Sequence, residues 1–525
     1  MPRLRSPWSI PLASRIILLF AAGLVLLQAL DYFNFTVDDV FIPIRYATNA
    51  ARGEGLVYNK GEFVEGYSDP IWVFGLTAVA AATAGSSHQL TLLLGTAKAV
   101  SFLFGILTLV LLYRFTLRLF EESPHARLYA ALAVLSGAMC APFIAWSIGG
   151  LETTLQALLY LALATIVYAV LKERSFGKPV AAKHYLSLLA ISLLLLLVHP
   201  EPIMLCIITF VYLYILLSKP ERWRFLRFSV IPFLLGTAIF LVWRWVTYGN
   251  LVPNTFFAKT GGLSVSPYVN GVKYVLSSFG LLIAPLLLII PFAYTGSRKR
   301  DPFIVFLTIA ILFQCAFAIG AKGDWMPGAR FLISIEPLLV LLGMFGLVTL
   351  LESIPHFTVP GFPARAMALI AIVIATTFAM AGRTAFRGES RGLISGFARL
   401  KGYSLLGHEQ VALWLRPRVN DHTTVALTEA GLISAMLPDT RILDLNGLMN
   451  AGIAHERQHG EAVNVESFLS QHPEYVVFHN DVASPILTTL ATDPRKALEQ
   501  DSLFHQAYQL IQKLPNFDIY ARISK

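Results

Sequence analysis

The sequence predicts a mainly α-helical membrane protein, in which a bundle of transmembrane helices is followed by a small C-terminal α/β domain. Hydrophobic residues make up 56% of the 525 residues and charged residues only 14%, far from the composition of soluble proteins. Long apolar runs recur from Ile16 to Gly382, whereas the remainder has an ordinary soluble composition. We therefore predict a membrane domain over residues 1–382 and a soluble domain over residues 383–525.

Eleven apolar segments approach the roughly 20 residues that a helix needs to cross a bilayer. They cover residues 13–30, 96–117, 128–147, 152–171, 185–199, 202–217, 229–247, 275–295, 302–320, 331–351 and 364–382. A further apolar stretch, Pro70–Gly85, is about 16 residues long, and a crossing there would reverse the side on which every later loop lies. This stretch favours a short or re-entrant helix, so the count is eleven spans with a doubtful twelfth.

The distribution of Lys and Arg predicts the orientation. Basic clusters occupy alternate connections, at 114–127, 172–183, 219–227 and 298–300, and such clusters mark the cytoplasmic side. The net charge of +9 is therefore a topology signal and does not indicate nucleic acid. The N-terminus resembles a signal peptide but lacks a small-residue cleavage site, so we interpret it as a first membrane helix that enters from the cytoplasm. We expect a multi-pass membrane protein.

The same alternation places several polar segments and the C-terminal domain together on the outer, periplasmic face. These segments are residues 31–69, 149–152, 199–202, 248–273 and 322–330. In the tail, TTVALTE, RILDL, EYVVFH and FDIYARI are typical of short strands, with helical patterns at HEQVALWL, AGLISAML and VESFLSQH. No Walker loop, Rossmann fingerprint, CxxC pair or GxSxG occurs, so ATP-driven transport, dinucleotide chemistry and serine hydrolysis lack support.

The first outer loop carries a pair of carboxylates, Asp38 and Asp39, directly after a membrane helix. Adjacent carboxylates suit a general base, or a ligand set for a divalent cation such as Mg²⁺, Mn²⁺ or Ca²⁺, or both. The alternative is that they cap the helix that begins near Phe41. That helix, Asp39–Arg52, has the pattern of an interfacial amphipathic helix.

Other polar residues of the outer face have two interpretations each. Arg45, with Tyr46 beside it, either contacts a ligand or pairs with a carboxylate. Glu152 lies at a membrane boundary, where an ionisable residue is a functional candidate, or stabilises a helix N-terminus. His199 and Glu201 in HPEP either carry protons or bind a sugar, or they belong to a turn fixed by the two prolines.

Two cations could contact a lipid phosphate at the interface. Lys259 lies in VPNTFFAKTGG and Arg330 in KGDWMPGAR, and Arg and Lys are the side chains that bind phosphate. The alternative is snorkelling of long basic side chains at helix ends. Asp324 either holds Arg330 in place or neutralises it. The segment VEGYSDP returns the chain to the membrane surface with Glu65 and Tyr67.

The stretch DDVFIPIRYATNAARGEGLVYNKGEFVEGYSDPIW closely resembles the first-loop signature of bacterial GT-C glycosyltransferases related to the actinobacterial terminal arabinofuranosyltransferases. The resemblance continues through GGLETTL, PNTFFAK, GDWMPGARF and ILDLNGLMNAGIAH, so it covers nearly the whole chain. It implies a helical bundle in the bacterial inner membrane with a periplasmic active site, a polyprenyl-phosphate sugar donor and a soluble domain that caps the groove.

By this resemblance Asp38 or Asp39 is the catalytic base, and Lys259 and Arg330 contact the lipid phosphate. The expected sugar-site or structural residues are Arg45, Tyr46, Glu65, Tyr67, Glu152, His199, Glu201, Asn254 and Asp324. Where the family has an Arg-Pro-acidic step, this chain has His199-Pro200-Glu201, so the donated sugar need not be arabinofuranose.

The predicted reaction is a single inverting transfer of a sugar to a cell-envelope glycan, lipid or protein acceptor. Arabinofuranose is one candidate for this sugar. Two other functions stay open at this point. A transporter or flippase of lipid-linked sugars would show repeats and discontinuous helices at mid-membrane, and neither is apparent. A polymerase or ligase with a diphosphate-linked donor would carry additional cations at the donor site.

Overall fold

A computed structural model describes residues 11–260, 266–282, 301–324, 326, 328–352, 405–458, 463–480 and 493–523. For Lys259 it describes the backbone alone. The predicted span 364–382, the second half of the predicted span 275–295 and the predicted domain boundary at 382/383 lie outside the described residues.

The bundle consists of helices that fall on every predicted span within the described residues. Their bounds are Leu12–Asp31, Phe41–Ala51, Pro70–Ala82, Gln89–Leu119, Ala126–Met139, Ala141–Ile148, Thr153–Ser175, Ala182–Val198, Pro202–Leu216, Lys219–Phe225, Ile231–Tyr248, Asn254–Thr260, Ser266–Leu282, Pro302–Gly320, Arg330–Ile333 and Glu336–Glu352. A 3-10 turn covers Asp38–Val40, and a π-helical turn, Leu226–Val230, joins two of the helices into one run, Lys219–Tyr248.

Five of the described helices are long and apolar enough to cross a membrane. They are Leu12–Asp31, Gln89–Leu119, Thr153–Ser175, Lys219–Tyr248 and Pro302–Gly320. The pair Ala126–Met139 and Ala141–Ile148 makes a sixth if it is one span bent by 69°. Three further predicted spans are helices of 15 to 17 residues. The doubtful stretch after Pro70 forms a helix of 13 residues, which confirms the short helix predicted there.

The bend between the two helices of this pair has a local cause at Pro142. Proline has no N–H to donate to the carbonyl four residues earlier, and its ring collides with that carbonyl, so the first helix ends at Met139 and a new one starts at Ala141. Glycines let the neighbouring helices approach: a Cβ on Gly105 would lie 2.7 Å from the Cβ of Ser147, and one on Gly137 would lie 2.7 Å from Leu109. Such small residues are typical of helix contacts inside membranes.

The helix Ile231–Tyr248 shows how the bundle meets its surroundings. Leu235, Ile239, Val242 and Val246 are each more than half exposed, and their spacing of three to four residues places them along one side of the helix. An exposed apolar stripe of this length is what a lipid-facing helix presents.

The C-terminal domain contains a five-stranded mixed sheet in the order β2-β1-β3-β5-β4. The strands are Thr424–Leu427 (β1), Arg441–Asp444 (β2), Tyr475–His479 (β3), Tyr508–Leu514 (β4) and Phe517–Arg522 (β5). β1 pairs in parallel with β2 and β3, while β5 pairs antiparallel with β3 and β4. The helices of the domain are Leu406–Leu415, Leu432–Met436, Ala451–Gln458, Val465–Ser470, Pro494–Glu499 and Ser502–Ala507.

Four of the five strands were predicted from their apolar pattern, and β4 was not. β4 lies at the edge of the sheet, and six of its seven residues, Gln509–Leu514, are exposed or half-exposed. A strand with so little burial lacks the short apolar run by which the other four strands were predicted. The predicted helical patterns HEQVALWL, AGLISAML and VESFLSQH all form helices.

The first outer loop and the C-terminal domain share a hydrophobic core. Ile42, Tyr46 and Tyr58 of the loop pack in one buried cluster with apolar side chains of the domain, among them Ile433 and Phe517. The loop therefore forms part of the support of the C-terminal domain, and this contact fixes the position of the domain over the end of the bundle where the loop emerges.

Candidate active site

A cleft with an empty volume of about 480 Å³, which includes space open to solvent, lies between the first outer loop, the bundle and the C-terminal domain. Its wall brings together Asp39, Tyr67, Glu152, His199 and Arg330, all of which the sequence analysis selected. The remaining lining residues are Ile42, Pro43, Gly66, Ser68, Asp69, Leu151, Thr255 and Leu448.

Helix starts converge on this cleft. Asp69, Glu152 and Glu201 each occupy the position just before the first residue of an apolar helix, at Pro70, Thr153 and Pro202 respectively. The positive end of a helix dipole stabilises a carboxylate there. Asp69 and Glu152 line the cleft, so Glu152 lies both at a helix start and in the cleft wall, and its functional role stays a prediction.

Asp69 and Glu152 form a carboxyl pair. Burial raises the pKa of Asp69 well above its usual value, and the adjacent Glu152, which shares a hydrogen bond with it, raises this pKa further. Two carboxyl groups that share a hydrogen bond retain a proton between them. Asp69 was not among the residues selected from the sequence, although it belongs to the quoted motif VEGYSDP.

Arg330 is held by Asp324 at the end of a strained turn. Its Nε and Nη2 donate to the two carboxylate oxygens of Asp324 at 2.6 and 3.3 Å, so the predicted pairing of these two residues is present. Burial alone would lower the pKa of Arg330, but Asp324, Asp39 and Glu152 together raise it above its usual value. Arg330 is thus a permanent cation in an acidic cleft.

The turn before Arg330 uses left-handed backbone conformations. Lys322 and Ala329 have φ of 66° and 58°, a region that costs a residue with a Cβ roughly 1–2 kcal/mol. Strain of this kind persists where surrounding contacts hold a side chain in a required position. Trp325 and Pro327 of the same turn lie outside the described residues.

The neighbouring carboxylates Asp38 and Asp39 have different surroundings. Asp38 is buried, and its two oxygens accept hydrogen bonds of 2.7 Å from the backbone amides of Gly431 and Leu432. Asp39 is half-buried and lines the cleft. Burial raises the pKa of Asp38 to about 6, although the two amide hydrogen bonds lower it. Asp38 therefore attaches the first loop to the C-terminal domain.

Arg45 also attaches the loop to the domain. Its guanidinium donates to the carbonyl oxygens of Ser434, Leu437 and Thr440, at or just beyond the end of the helix Leu432–Met436, and to that of Tyr58. A cation at a helix C-terminus is favourable. These acceptors are main-chain carbonyls, whereas the sequence suggested a carboxylate partner.

Tyr46, Glu65 and Asn254 likewise hold structure. The Tyr46 hydroxyl donates to the carbonyl of Val64 and accepts from the amide of Gly66. Glu65 forms a buried ion pair of 2.7 Å with Arg244. The Asn254 amide donates to the carbonyls of Gly447 and Leu448 in the C-terminal domain. These three residues and Arg45 surround the cleft without lining it.

His199 extends the cleft into a polar network inside the bundle. It hydrogen-bonds Glu201, whose other oxygen accepts from Gln156 at 2.9 Å. Tyr160 then donates to Gln314, which donates to the carbonyl of Phe331 next to Arg330. Tyr67, on the opposite wall, hydrogen-bonds the hydroxyl of Tyr248 at 2.9 Å. The network supports both His199 and the turn that carries Arg330.

Lys259, the second predicted phosphate contact, cannot be placed because its side chain lies outside the described residues. Its helix, Asn254–Thr260, starts beside the cleft, where Thr255 is a lining residue. The prediction that Lys259 binds the donor phosphate therefore stays a prediction.

One group of side chains in the described residues could hold a metal ion. It consists of Asp38, His408 and Glu429, each of which offers one ligand atom within 4.8 Å of the other two. The sequence predicted Asp38 and Asp39 as joint ligands, which stays a prediction. His408 and Glu429 were missed because they follow Asp38 by more than 350 residues, and no local spacing reveals such a set.

Comparison with known proteins places these features in context. A family model described as a domain of unknown function (DUF8728) matches residues 398–523. The chain is similar to the terminal β-(1→2)-arabinofuranosyltransferase of Corynebacterium glutamicum, with 29% identity over 336 residues, 58% of this chain and 47% of the relative. For the enzyme of the same name from Mycobacterium tuberculosis, identity is 25% over 349 residues, 61% and 53%. The chain thus spans about half the length of these relatives.

Solved structures of ArnT from Cupriavidus metallidurans share the fold along both chains. The apo structure has a TM-score of 0.56 at 14% identity and covers 97% of this chain and 98% of that one. The structure bound to undecaprenyl phosphate has a TM-score of 0.53 at 13% identity, with the same coverage. This chain therefore has the GT-C fold of a multi-pass membrane protein and resembles the terminal arabinofuranosyltransferases of actinobacteria, as its first outer loop predicted.

Proposed function

We propose that this protein is a membrane glycosyltransferase that transfers a sugar from a polyprenyl-phosphate donor to a cell-envelope acceptor. The observation that carries the proposal is the meeting of a half-buried carboxylate, Asp39, and a firmly held cation, Arg330, in one open cleft. These are the two charges that the reaction needs, one at the acceptor hydroxyl and one at the leaving phosphate.

Asp39 is the general base in this proposal. It removes the proton of an acceptor hydroxyl while the hydroxyl oxygen attacks the anomeric carbon of the donor. The bond from the anomeric carbon to the phosphate oxygen breaks, its electron pair leaves with the polyprenyl phosphate, and the anomeric configuration inverts. The position of Asp39 in the cleft wall supports this assignment over Asp38, both of whose oxygens already accept backbone hydrogen bonds.

Arg330 binds the donor phosphate. Its pairing with Asp324 engages Nε and Nη2, and a guanidinium has five N–H donors, so Nη1 can turn to a phosphate in the cleft. Lys259 provides a second cation from the neighbouring helix. The ArnT structure with bound undecaprenyl phosphate supports a lipid phosphate as the ligand of a cleft in this fold.

The acid-rich wall binds the sugar. Asp69, Glu152 and Tyr67 line the cleft with hydrogen-bonding groups, and sugar hydroxyls are satisfied by such groups. Similarity to the arabinofuranosyltransferases supports arabinofuranose as the first donor to test. We further propose that the cleft opens on the periplasmic side, as the distribution of basic loops predicts, and that the C-terminal domain contributes to binding the acceptor.

A transfer assay tests the proposal. Native membranes containing the full chain are supplied with a panel of synthetic polyprenyl-phosphate sugars, and transfer of labelled sugar to membrane acceptors is measured. We expect turnover of one donor and a loss of about 10²- to 10⁴-fold in the Asp39→Asn variant, the contribution of general base catalysis. Arg52→Lys, on the exposed side of the first loop, is the matched control and keeps full activity.

The assay separates the proposal from its rivals. Full activity in Asp39→Asn would refute the assignment of the base. Binding of lipid-linked sugar without turnover of any donor, followed by its movement across vesicle membranes, would instead support a transporter. Turnover only with diphosphate-linked donors would identify a polymerase or ligase.

A further inference from the structure

Asp38, His408 and Glu429 bring three potential metal ligands together at the junction of the first loop and the C-terminal domain. The His408 Nε2 atom lies 3.9 Å from an Asp38 carboxylate oxygen, and one ligand atom from each of the three lies within 4.8 Å of the others. Asp38 comes from the first loop, whereas His408 and Glu429 come from the C-terminal domain. Asp38 does not line the cleft, whereas its neighbour Asp39 does.

His408 carries a polar atom without a partner. Only 6% of the residue is exposed, and among the described residues no hydrogen bond reaches its Nε2. A neutral imidazole has a lone pair on one ring nitrogen, which can bind a metal ion. A buried nitrogen that makes no hydrogen bond costs roughly 1–3 kcal/mol, and such groups require an explanation in the structure.

Several carboxylates lie near His408 at this junction. Glu429 lies close enough to Asp38, Asp39 and Asp444 for their negative charges to act on it. Arg330, the cation of the cleft, is held by Asp324. The surroundings of Glu429 include His479, whose Nδ1 lies 3.9 Å from its carboxylate. A cation at the junction would satisfy both the carboxylates and the imidazole nitrogen.

We propose that Asp38, His408 and Glu429 bind one Zn²⁺ ion that joins the first outer loop to the C-terminal domain. Zinc bonds of about 2.0–2.2 Å place tetrahedral ligand atoms about 3.3 Å apart. Zinc binding therefore requires the three ligand atoms, which lie within 4.8 Å of one another, to move closer together by rotation of one side chain. Glu429, whose side chain is 23% exposed, is the one with room to move. Asp38 keeps its two backbone hydrogen bonds, because each carboxylate oxygen has a second lone pair.

The ligand types select zinc over the alkaline-earth ions. Mg²⁺ and Ca²⁺ prefer sets made of oxygen atoms, whereas an imidazole nitrogen with two carboxylates suits Zn²⁺. The backbone amides of Gly431 and Leu432 orient Asp38 from behind, as outer hydrogen bonds orient the ligands of known metal sites. The three side chains leave the fourth tetrahedral position to a water molecule, and the binding of the ion does not depend on the proposed transfer reaction.

Metal analysis of the purified full chain tests the site. The protein in detergent is stripped with a chelator, incubated with Zn²⁺ and passed over a desalting column, and the retained zinc is measured. We expect about one equivalent per chain in the wild type and in His422→Ala, a control at an exposed histidine of the same domain. We expect at least a tenfold lower zinc affinity in His408→Ala and in Glu429→Gln. Substitution with Co²⁺ should give visible absorption bands in the wild type, but not in His408→Ala or Glu429→Gln.

Thermal unfolding tests whether a variant binds less zinc only because it has lost its fold. Zn²⁺ should raise the unfolding temperature of the wild type and of His422→Ala but not of Glu429→Gln, which removes a partly exposed ligand without opening the core. The proposal is overturned if the wild type retains no zinc, or if both ligand variants retain it as the wild type does. Because zinc retention is measured without a donor, an inactive protein that binds zinc would refute the proposed function alone.

Discussion

The two sides of the first outer loop contrast in how their polar groups are satisfied. On the anchored side, Asp38, Arg45 and Glu65 are buried and bonded to fixed partners, which are backbone groups of the C-terminal domain or Arg244. On the cleft side, Asp39 and Asp69 face space that a ligand can enter. The sequence offers both sets as equivalent polar residues. The difference teaches that the partners of a polar residue, more than its type, distinguish a residue that holds the structure from one that can contact a ligand.

The largest expected loss of stability is on the anchored side, where Glu65 pairs with Arg244. Both side chains are almost fully buried, so Arg244→Met leaves Glu65 charged and without its partner. We expect a loss of about 3–5 kcal/mol in the free energy of unfolding, measured by denaturant titration in detergent. Arg227→Met, at an exposed arginine of the same helical run, should change stability little.

The double variant Glu65→Gln with Arg244→Met sharpens this result. It removes the uncompensated charge and should recover part of the lost stability. Equal stability of Arg244→Met and wild type would mean that the ion pair does not anchor the loop.

Gly431→Ala should separate the loop from the C-terminal domain. A Cβ at Gly431 would lie 2.1 Å from the carbonyl oxygen of Asp38 and 2.4 Å from its carboxylate. The two segments must move apart, which weakens both amide hydrogen bonds to Asp38. We expect a loss of about 1–3 kcal/mol, measured as unfolding free energy, and faster proteolysis of the domain.

The control for this change is Gly452→Ala, also in the C-terminal domain. A Cβ there contacts nothing closer than the side-chain oxygen of Asn450 at 3.4 Å, and alanine favours the helix Ala451–Gln458. This variant should be at least as stable as the wild type. Similar losses in the two variants would contradict the role of the Asp38 contact.

On the cleft side, Arg330→Lys should lower activity with little change in stability. Lysine keeps the charge but loses the fork of donors that binds Asp324 and a phosphate at the same time. We expect a roughly tenfold fall in transfer rate, equal to about 1.4 kcal/mol, in the donor assay. Unchanged activity together with unchanged donor affinity would remove Arg330 from the phosphate site.

The smallest effect concerns the pH dependence of the Asp69–Glu152 pair. Because the folded-state pKa of Asp69 is raised well above 3.8, the pair contributes stability that is complete below the unfolded-state pKa and is lost as pH rises through the folded-state pKa. Asp69→Asn mimics the protonated acid and should remove this loss. The wild type should therefore weaken relative to Asp69→Asn as pH rises, by at most about 1.4 kcal/mol per pH unit.

Thermal unfolding from pH 5 to 9 measures this difference. Asp439→Asn, which changes an exposed carboxylate paired with Arg52, is the control and should follow the wild type at every pH. If the curves of wild type and Asp69→Asn stay parallel, the pair holds no shared proton.

The sequence predicts most of the fold because its signals are local. Long apolar runs mark the helices and short apolar runs mark four of the strands, while β4 has too little burial to show such a run. The motif-level resemblance also brought Asp39, Tyr67, Glu152 and Arg330 into one predicted site, and all four line the cleft.

What the sequence could not reveal depends on contacts across long separations. Asp38 and Asp39 are adjacent and chemically identical, and only the amides of Gly431 and Leu432 distinguish them. Arg45 matches the family motif, yet it binds carbonyls almost 400 residues away. Asp69 and His408 carry no spacing signal, because their significance comes from Glu152 and from Asp38, which lie in other segments.

The 3-10 turn Asp38–Val40 couples the position of the C-terminal domain to the position of Asp39. Asp38 and Asp39 share a peptide bond, so any rotation of the domain that carries the amides of Gly431 and Leu432 also shifts the backbone of Asp39. An acceptor that reorients the domain would thereby move Asp39, the proposed base, through the one peptide bond that joins it to Asp38. Allosteric communication here requires no path through the bundle.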